Sequence, residues 1–314
     1  MNSIQPDKVN GKELVQSLSD LFIQVVKIDH IDPPKEHPII LLNAVKNIIG
    51  DDRDNPSDDL YQFSKIIIDS FSTRKDDESL WENVKADGVG LTVFTDEVER
   101  AVMTGNRDDA GGETARQIMA SNNSPAILEL LAELAIHNVD DLGLFTFHWL
   151  RSYYFHQNEK ELWFYARCII SEMFKCELVS ISNESDLAPE SLIHKMITPS
   201  HMKTIPLFSA MIRLWDGDYV RIKTFKNAIS GWLNAQRFNR ETTKNSSTDK
   251  LEKYHLHGGR YFIDIAESIV KNNPPNEAIH QIVHLEALRG IAKNAGPESF
   301  QQIANCINFI VRKS

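Results

Sequence analysis

SPAILELLAELAIHNVDDLGLFTFHWLRSYYFH, residues 124–156, decides the fold class. Ile127, Leu130, Leu131 and Leu134 recur at i, i+3, i+4 and i+7, the spacing that puts apolar side chains on one face of an α-helix. Ser124-Pro125 reads as an N-cap with proline at the first helical position. The same period continues in both directions. Leu14, Leu18, Leu21, Phe22 and Val25 follow it, as do Leu60, Phe63, Ile67 and Phe71. Leu162, Tyr165, Ala166, Ile169 and Met173 form another set, and Phe300, Ile303, Ala304, Ile307 and Ile310 carry the pattern to the end. Gly296-Pro297 reads as a helix stop followed by a start. The one strand candidate is GVGLTVF at 88–94, after which Thr95-Asp96 opens another helix. The expectation is an all-α protein, a helical bundle or stacked helix pairs, with at most one short strand near 88–94.

The 314 residues, 42% hydrophobic and 25% charged, are enough for a large buried core and exclude a mainly disordered chain. One large domain, 1–314, is expected, with the acidic residues 1–95 as a candidate subdomain and 96–314 as the main helical body. AVKNIIGDDRD at 44–54 and AVMTGNRDD at 101–109 echo each other as a helix ending in a Gly-x-(x)-Arg-Asp turn, either the trace of stacked helix pairs or coincidence. Polar loops are expected near 51–58, 181–189 and 240–250. Three cysteines are too few for a disulfide framework, and no run reaches the ~18 apolar residues of a membrane span. A cytoplasmic protein without a membrane partner is the expectation. Charge is uneven: residues 1–100 hold 20 acidic and 11 basic side chains, whereas 203–260 hold 11 basic against 5 acidic. The basic stretch is either a solvated face or a phosphate-contacting one; without a nucleic-acid motif, nucleic acid is not expected as a partner.

Phosphate-loop, dinucleotide, GxSxG and HExxH patterns are absent, so no nucleotide cofactor is expected. Carboxylates and imidazoles on helices remain. Glu129, Glu133 and His137 step by four along one helix, Asp141 extends the series if the helix does not break near Asn138, and His148 opens the next apolar run. A helix-end histidine at the negative end of the dipole and a packed histidine under Trp149 are the structural alternatives. His255-x-His257 precedes Gly258-Gly259, read as the start of a helix. His280 and His284 form an i, i+4 pair on an arc shared with Ala287 and Ile291, a spacing at which two imidazoles can bind one metal. They read equally as core histidines bonded to Asp264 or Glu267.

GNRDDAGGETARQIMASNNSPAILELLAELAIHNVDDLGLFTFHWLRSYYF, with its Gly105–Arg107 turn, its Ser-Pro helix start and its His137…Asp141-x-Gly143…His148 segment, resembles the histidine-containing helical domain of bacterial Rieske-associated and questin-oxidase-like oxidoreductases. YHLHGGRYFIDIA and IHQIVHLEALRG resemble that domain's later histidine helices, so that the resemblance spans about residues 95–295. The chain lacks the Cys-x-His…Cys-x-x-His ligands of a Rieske centre, and Leu144 follows Gly143 where the resemblance would put a histidine. The resemblance implies oxidative chemistry.

Two functional readings follow. In the first, the chain is a metal-dependent oxidoreductase of the non-haem iron kind, with ligands drawn from His137, His148, His255, His257, His280 and His284. Glu133 or Asp141 supplies the carboxylate, and iron is the first choice of metal before zinc or manganese. Trp149, Tyr153, Tyr154 and Phe155 would wall a pocket for a small organic substrate. A separate electron-transfer protein and a homo-oligomer are compatible partners. In the second, the chain is a non-catalytic α-helical scaffold presenting a groove or charged face to another protein. A metal-dependent hydrolase and a nucleic-acid binder complete the alternatives.

Overall fold

PIILLNAVKNII, residues 38–49, buries ten of its twelve side chains, so it is apolar nearly all round and has to lie inside the protein. In the computed structural model, which describes residues 11–90, 93–178, 186–237 and 246–312, this helix is the second of sixteen among the described residues. The first half comprises α1 (Gly11–Val25), α2 (Pro38–Ile49), α3 (Asp58–Asp69), α4 (Asp77–Asp87), α5 (Thr95–Met103), α6 (Arg107–Ala120), α7 (Ala126–Ala135) and α8 (Leu144–His156). The second comprises α9 (Leu162–Met173), α10 (Ile193–Met196), α11 (Ile205–Trp215), α12 (Ile222–Ala235), α13 (Asp249–His257), α14 (Tyr261–Asn272), α15 (Pro275–Asn294) and α16 (Phe300–Val311). The protein is all-α.

Helix α2 packs against α8 and α15, and α11 packs against α8 and α15 in turn, so these four form the centre. Around them, α1, α3 and α14 cover one side of α2, and α6, α7 and α9 pack together on another. One hydrophobic cluster runs without a break from Leu14 to Ile310. No described helix is long and apolar enough to cross a membrane.

Local sequence explains the joints. Pro38 opens α2, and the His37 side chain caps it, Nδ1 accepting the Ile39 N–H at 3.1 Å. Asn138 caps a five-residue π-turn, Val139–Gly143, that feeds directly into α8. Its Oδ1 accepts the Asp141 N–H while its Nδ2 donates to the Asp141 carboxylate, both at 3.1 Å. Gly143 allows this turn to lie against α11: a Cβ there would stand 3.0 Å from Leu207 Cδ1 and 3.1 Å from Met211 Cε.

Several expectations shift. Residues 88–90 and 93–94 are not strand, and Leu91 and Thr92 lie outside the described residues. A lone antiparallel bridge, Ile28 to Thr73, occurs instead where two loops cross. Helix α7 starts at Ala126, one residue later than the Ser-Pro signal suggests. The two Gly-Arg-Asp turns differ: Gly50 is right-handed at φ −64° and Gly105 left-handed at φ +76°, so the echo is not a repeated turn. Most of the polar loops expected at 181–189 and 240–250 lie outside the described residues. In the basic stretch, Arg213, Arg221 and Arg260 are tied to Glu286, Glu133 and Glu267, so three of its eleven cations are paired within the fold.

Candidate functional site

The densest group of buried polar side chains joins the loop after α1, the start of α2 and the end of α9. Arg74 pins the loop, its guanidinium donating to the carbonyls of Val26 and Ile28 at 2.7 and 2.9 Å. His30 is thereby held against Phe71, with ring centroids 6.3 Å apart. His37 lies edge-on to His30 at 4.8 Å and to Phe145 at 5.1 Å. Cys168 and Glu172, four residues apart on α9, face them, and Lys175 follows in the turn beyond. His30, His37, Cys168 and Glu172 are buried, and the ligand atoms of His30, His37 and Glu172 lie within 4.8 Å of one another. Among the described residues this is the one group of three or more such side chains with metal-ligand spacing.

The Lys175 ammonium lies 2.7 and 2.8 Å from the Glu172 carboxylate oxygens, 2.9 Å from His30 Nδ1 and 3.1 Å from the Asp32 carbonyl, so its three N–H groups are shared among these four atoms. His30 Nδ1 also lies 3.2–3.3 Å from the Glu172 carboxylate, so one tautomer accepts from the lysine and the other donates to the glutamate; in the first, its lone pair and the carboxylate face the same lysine cation. His37 Nδ1 accepts from Ile39, which leaves the proton on Nε2, 3.7 Å from Cys168 Sγ. Burial holds His37 well below the ordinary imidazole range, with His30, Lys175 and Arg74 pressing the same way. Burial likewise pushes the Cys168 thiol up to about 12. Both are neutral at pH 7.

The donor set suits a divalent ion. Two imidazoles and a carboxylate are the ligands of mononuclear non-haem iron sites, and zinc accepts the same atoms. His30 and Glu172 already point at one cation position. An ion there would replace the Lys175 ammonium, and His37 would have to release either its cap bond or its Nε2 proton to join.

His37 also lines a cavity of about 860 Å3, together with Phe71, Leu144, Pro206, His280 and His284. The histidine pair expected at 280 and 284 thus faces the same space as His37, at the exposed rim of α15 and not on the buried arc shared by Ala287 and Ile291. His284 Nδ1 donates to the His280 carbonyl at 2.6 Å. Asp264 and Glu267, the partners considered for this pair, bind Arg260 instead.

The other expected ligands lie apart. His148 is buried beside Asn43, whose Nδ2 donates to its Nδ1 at 2.8 Å, and burial takes it down to about 3. His137 is half-buried just past the end of α7, its Nδ1 without a hydrogen-bond partner, and burial lowers its pKa. His255 and His257 end α13, and Gly258 and Gly259, at φ +68° and +99°, turn the chain into α14, which starts at Tyr261. The His255 ring donates to the Ala292 carbonyl at 3.1 Å, and His257 is exposed. Glu133 is engaged by Arg221 and by Thr224 Oγ1, the latter at 2.6 Å, and Asp141 by Asn138. No three of these eight residues form a group with metal-ligand spacing. The site that does form was missed in the sequence; its local traces are two histidines flanking a turn in DHIDPPKEHP (29–38) and a glutamate inside the apolar stripe of α9, and neither trace shows that they meet.

Fold and site together define an all-α protein with a buried imidazole–carboxylate group behind a cavity wall. No family model, no curated protein and no solved structure matches the chain.

Proposed function

We propose that the chain is a metal-dependent enzyme, an oxidoreductase acting on a small organic substrate, with His30, His37 and Glu172 as metal ligands. The observation that carries this reading is the position of His37, which belongs both to the buried ligand group and to the wall of the 860 Å3 cavity. An ion held by two imidazoles and one carboxylate keeps open coordination positions for substrate or oxygen, with iron the first choice and zinc or manganese the alternatives. The protein's own residues do the rest. Glu172 neutralises charge, Phe71, Leu144 and Val283 keep water from an apolar substrate, and His280 and His284 stand where a proton could pass to solvent. If electrons are needed, a separate electron-transfer protein delivers them. Three free cysteines suit a reducing, cytoplasmic setting.

Metal analysis of the purified protein, before and after incubation with Fe(II), Zn(II) and Mn(II), tests this reading. About one ion per chain is expected, lost in Glu172→Gln and His30→Ala and kept in His148→Gln. Full helicity with no metal uptake would instead support a non-catalytic scaffold. That second reading rests on Lys175, whose ammonium already balances Glu172 without an ion.

A further inference from the structure

Helix α8 carries Phe145, Trp149 and Tyr153 at successive steps of four, so the three rings lie along one face. Phe145 is the ring that stands 5.1 Å from His37. From Trp149 outward every neighbour in the row is a phenol. Trp149 lies 6.2 Å from Tyr165, Tyr165 5.3 Å from Tyr153, Tyr153 5.9 Å from Tyr154 and Tyr154 6.4 Å from Tyr219, all between ring centroids. Trp149 and Tyr165 are sealed from solvent, and Tyr153 nearly so. Tyr154 and Tyr219 line a second cavity, of about 690 Å3, whose rim includes the exposed Arg151, Asp216 and Asp218. The row thus runs from the turn of α8 beside a metal ligand to a cavity at the surface.

Such rings give up single electrons, and a phenol does so readily only when its proton can leave at the same time. Two of the phenols have a base at hand. The Tyr165 hydroxyl oxygen lies 2.9 Å from His156 Nε2, and the Tyr154 hydroxyl donates to Glu129 at 3.3 Å. Burial holds His156 below the ordinary imidazole range, so its ring is neutral at pH 7. In the tautomer protonated at Nδ1, Nε2 accepts from Tyr165. The Trp149 indole N–H donates to the Tyr165 carbonyl at 3.0 Å, which fixes these two neighbours against each other.

We propose that this row of rings is a relay for single electrons between the metal site and the second cavity. It rests on the metal reading, because its inner end is the ion held by His30, His37 and Glu172. Hydrogen peroxide takes two electrons and two solvent protons to become water. A ferrous ion supplies one electron and ends ferric, and Tyr165 supplies the other by way of Trp149. The Tyr165 proton passes to His156 Nε2, which leaves a neutral tyrosyl radical beside an imidazolium. Tyr153 and Tyr154 then carry an electron inward from a one-electron donor at the cavity, and His156 returns the proton.

The test loads the full chain with an equimolar amount of Fe(II), measures uptake, adds hydrogen peroxide and records electron paramagnetic resonance on frozen samples. A tyrosyl radical is expected in the unaltered chain. It should be lost in Tyr165→Phe, which keeps the ring and removes the phenol, and kept in Tyr261→Phe, which lies off the row. Tyr154→Phe should retain the radical but slow its reduction by ascorbate severalfold. Iron uptake without a tyrosyl radical, an equal radical yield in Tyr165→Phe, or an unchanged ascorbate rate in Tyr154→Phe overturns the relay and leaves the metal site standing. Absence of iron uptake overturns the metal reading itself, and the relay with it.

Discussion

His148 shows what burial does to a single imidazole. It accepts the Asn43 amide proton and titrates near 3, because burial disfavours the charged ring. The unfolded chain, with an ordinary histidine, binds a proton near pH 6.5, whereas the folded chain does not. Stability is therefore complete above 6.5 and falls as the pH drops toward 3. At pH 5 the loss from this one residue is roughly 2 kcal/mol. His37, depressed for the same reason, adds in the same direction. His148→Gln keeps an acceptor for Asn43 and removes the titration, so urea unfolding at pH 7 and pH 5 should differ by about 2 kcal/mol less in the variant. An unchanged pH slope would mean that His148 is not held neutral. Lys175 makes a second prediction at this scale. If its ammonium occupies the cation position, Lys175→Met should tighten zinc or iron binding by about tenfold in a competition titration. Unchanged affinity would show that lysine and metal do not share that place.

At the scale of an element, the π-turn at 139–143 joins two helices that carry expected site residues. Asn138 satisfies it through the Asp141 N–H and also donates to the Glu177 carbonyl at 3.0 Å, so Asn138→Ala removes a cap and a tether together. A loss of about 1–2 kcal/mol in chemical denaturation is expected. Gly143→Ala inserts a methyl group against Leu207, Met211 and Val139, each within 3.2 Å of the new Cβ. Overpacking of this kind costs about 1–3 kcal/mol. A variant as stable as the original would show that α11 yields freely at this contact.

Across the whole molecule, distant segments are joined by buried charge. Asp77, at the start of α4, accepts from Arg74 at 2.8–3.1 Å and from Arg167 of α9 at 3.1 Å, while its carbonyl takes the Trp163 indole N–H at 2.8 Å. All three charged side chains are nearly sealed from solvent. Asp77→Ala leaves two guanidiniums facing each other without their shared carboxylate, a loss of about 3–5 kcal/mol. Arg74 also fixes the His30 loop, so the same variant should weaken metal uptake, which metal analysis of the folded fraction would read. Asp51 plays the corresponding part at the other end, binding Arg289, Lys293 and Tyr254 from two later helices.

Helix content was legible in the sequence because a 3.6-residue apolar period is a local property, repeated in nearly every segment from Leu14 to Ile310. Helix starts such as Thr95 and stops such as Gly296 were legible for the same reason. Burial was not, because an amphipathic pattern says which face is apolar but not whether its edge is covered. His280 and His284 fall on the rim of α15 for that reason, although the wheel places them inward. The carboxylates Glu133 and Asp141 look free along the chain, and only folding brings Arg221 to one and turns Asn138 toward the other. The His30, His37 and Glu172 group is wholly tertiary. Its members are separated by up to 142 residues, and nothing in local spacing could bring a loop, a helix cap and a mid-chain helix to one point.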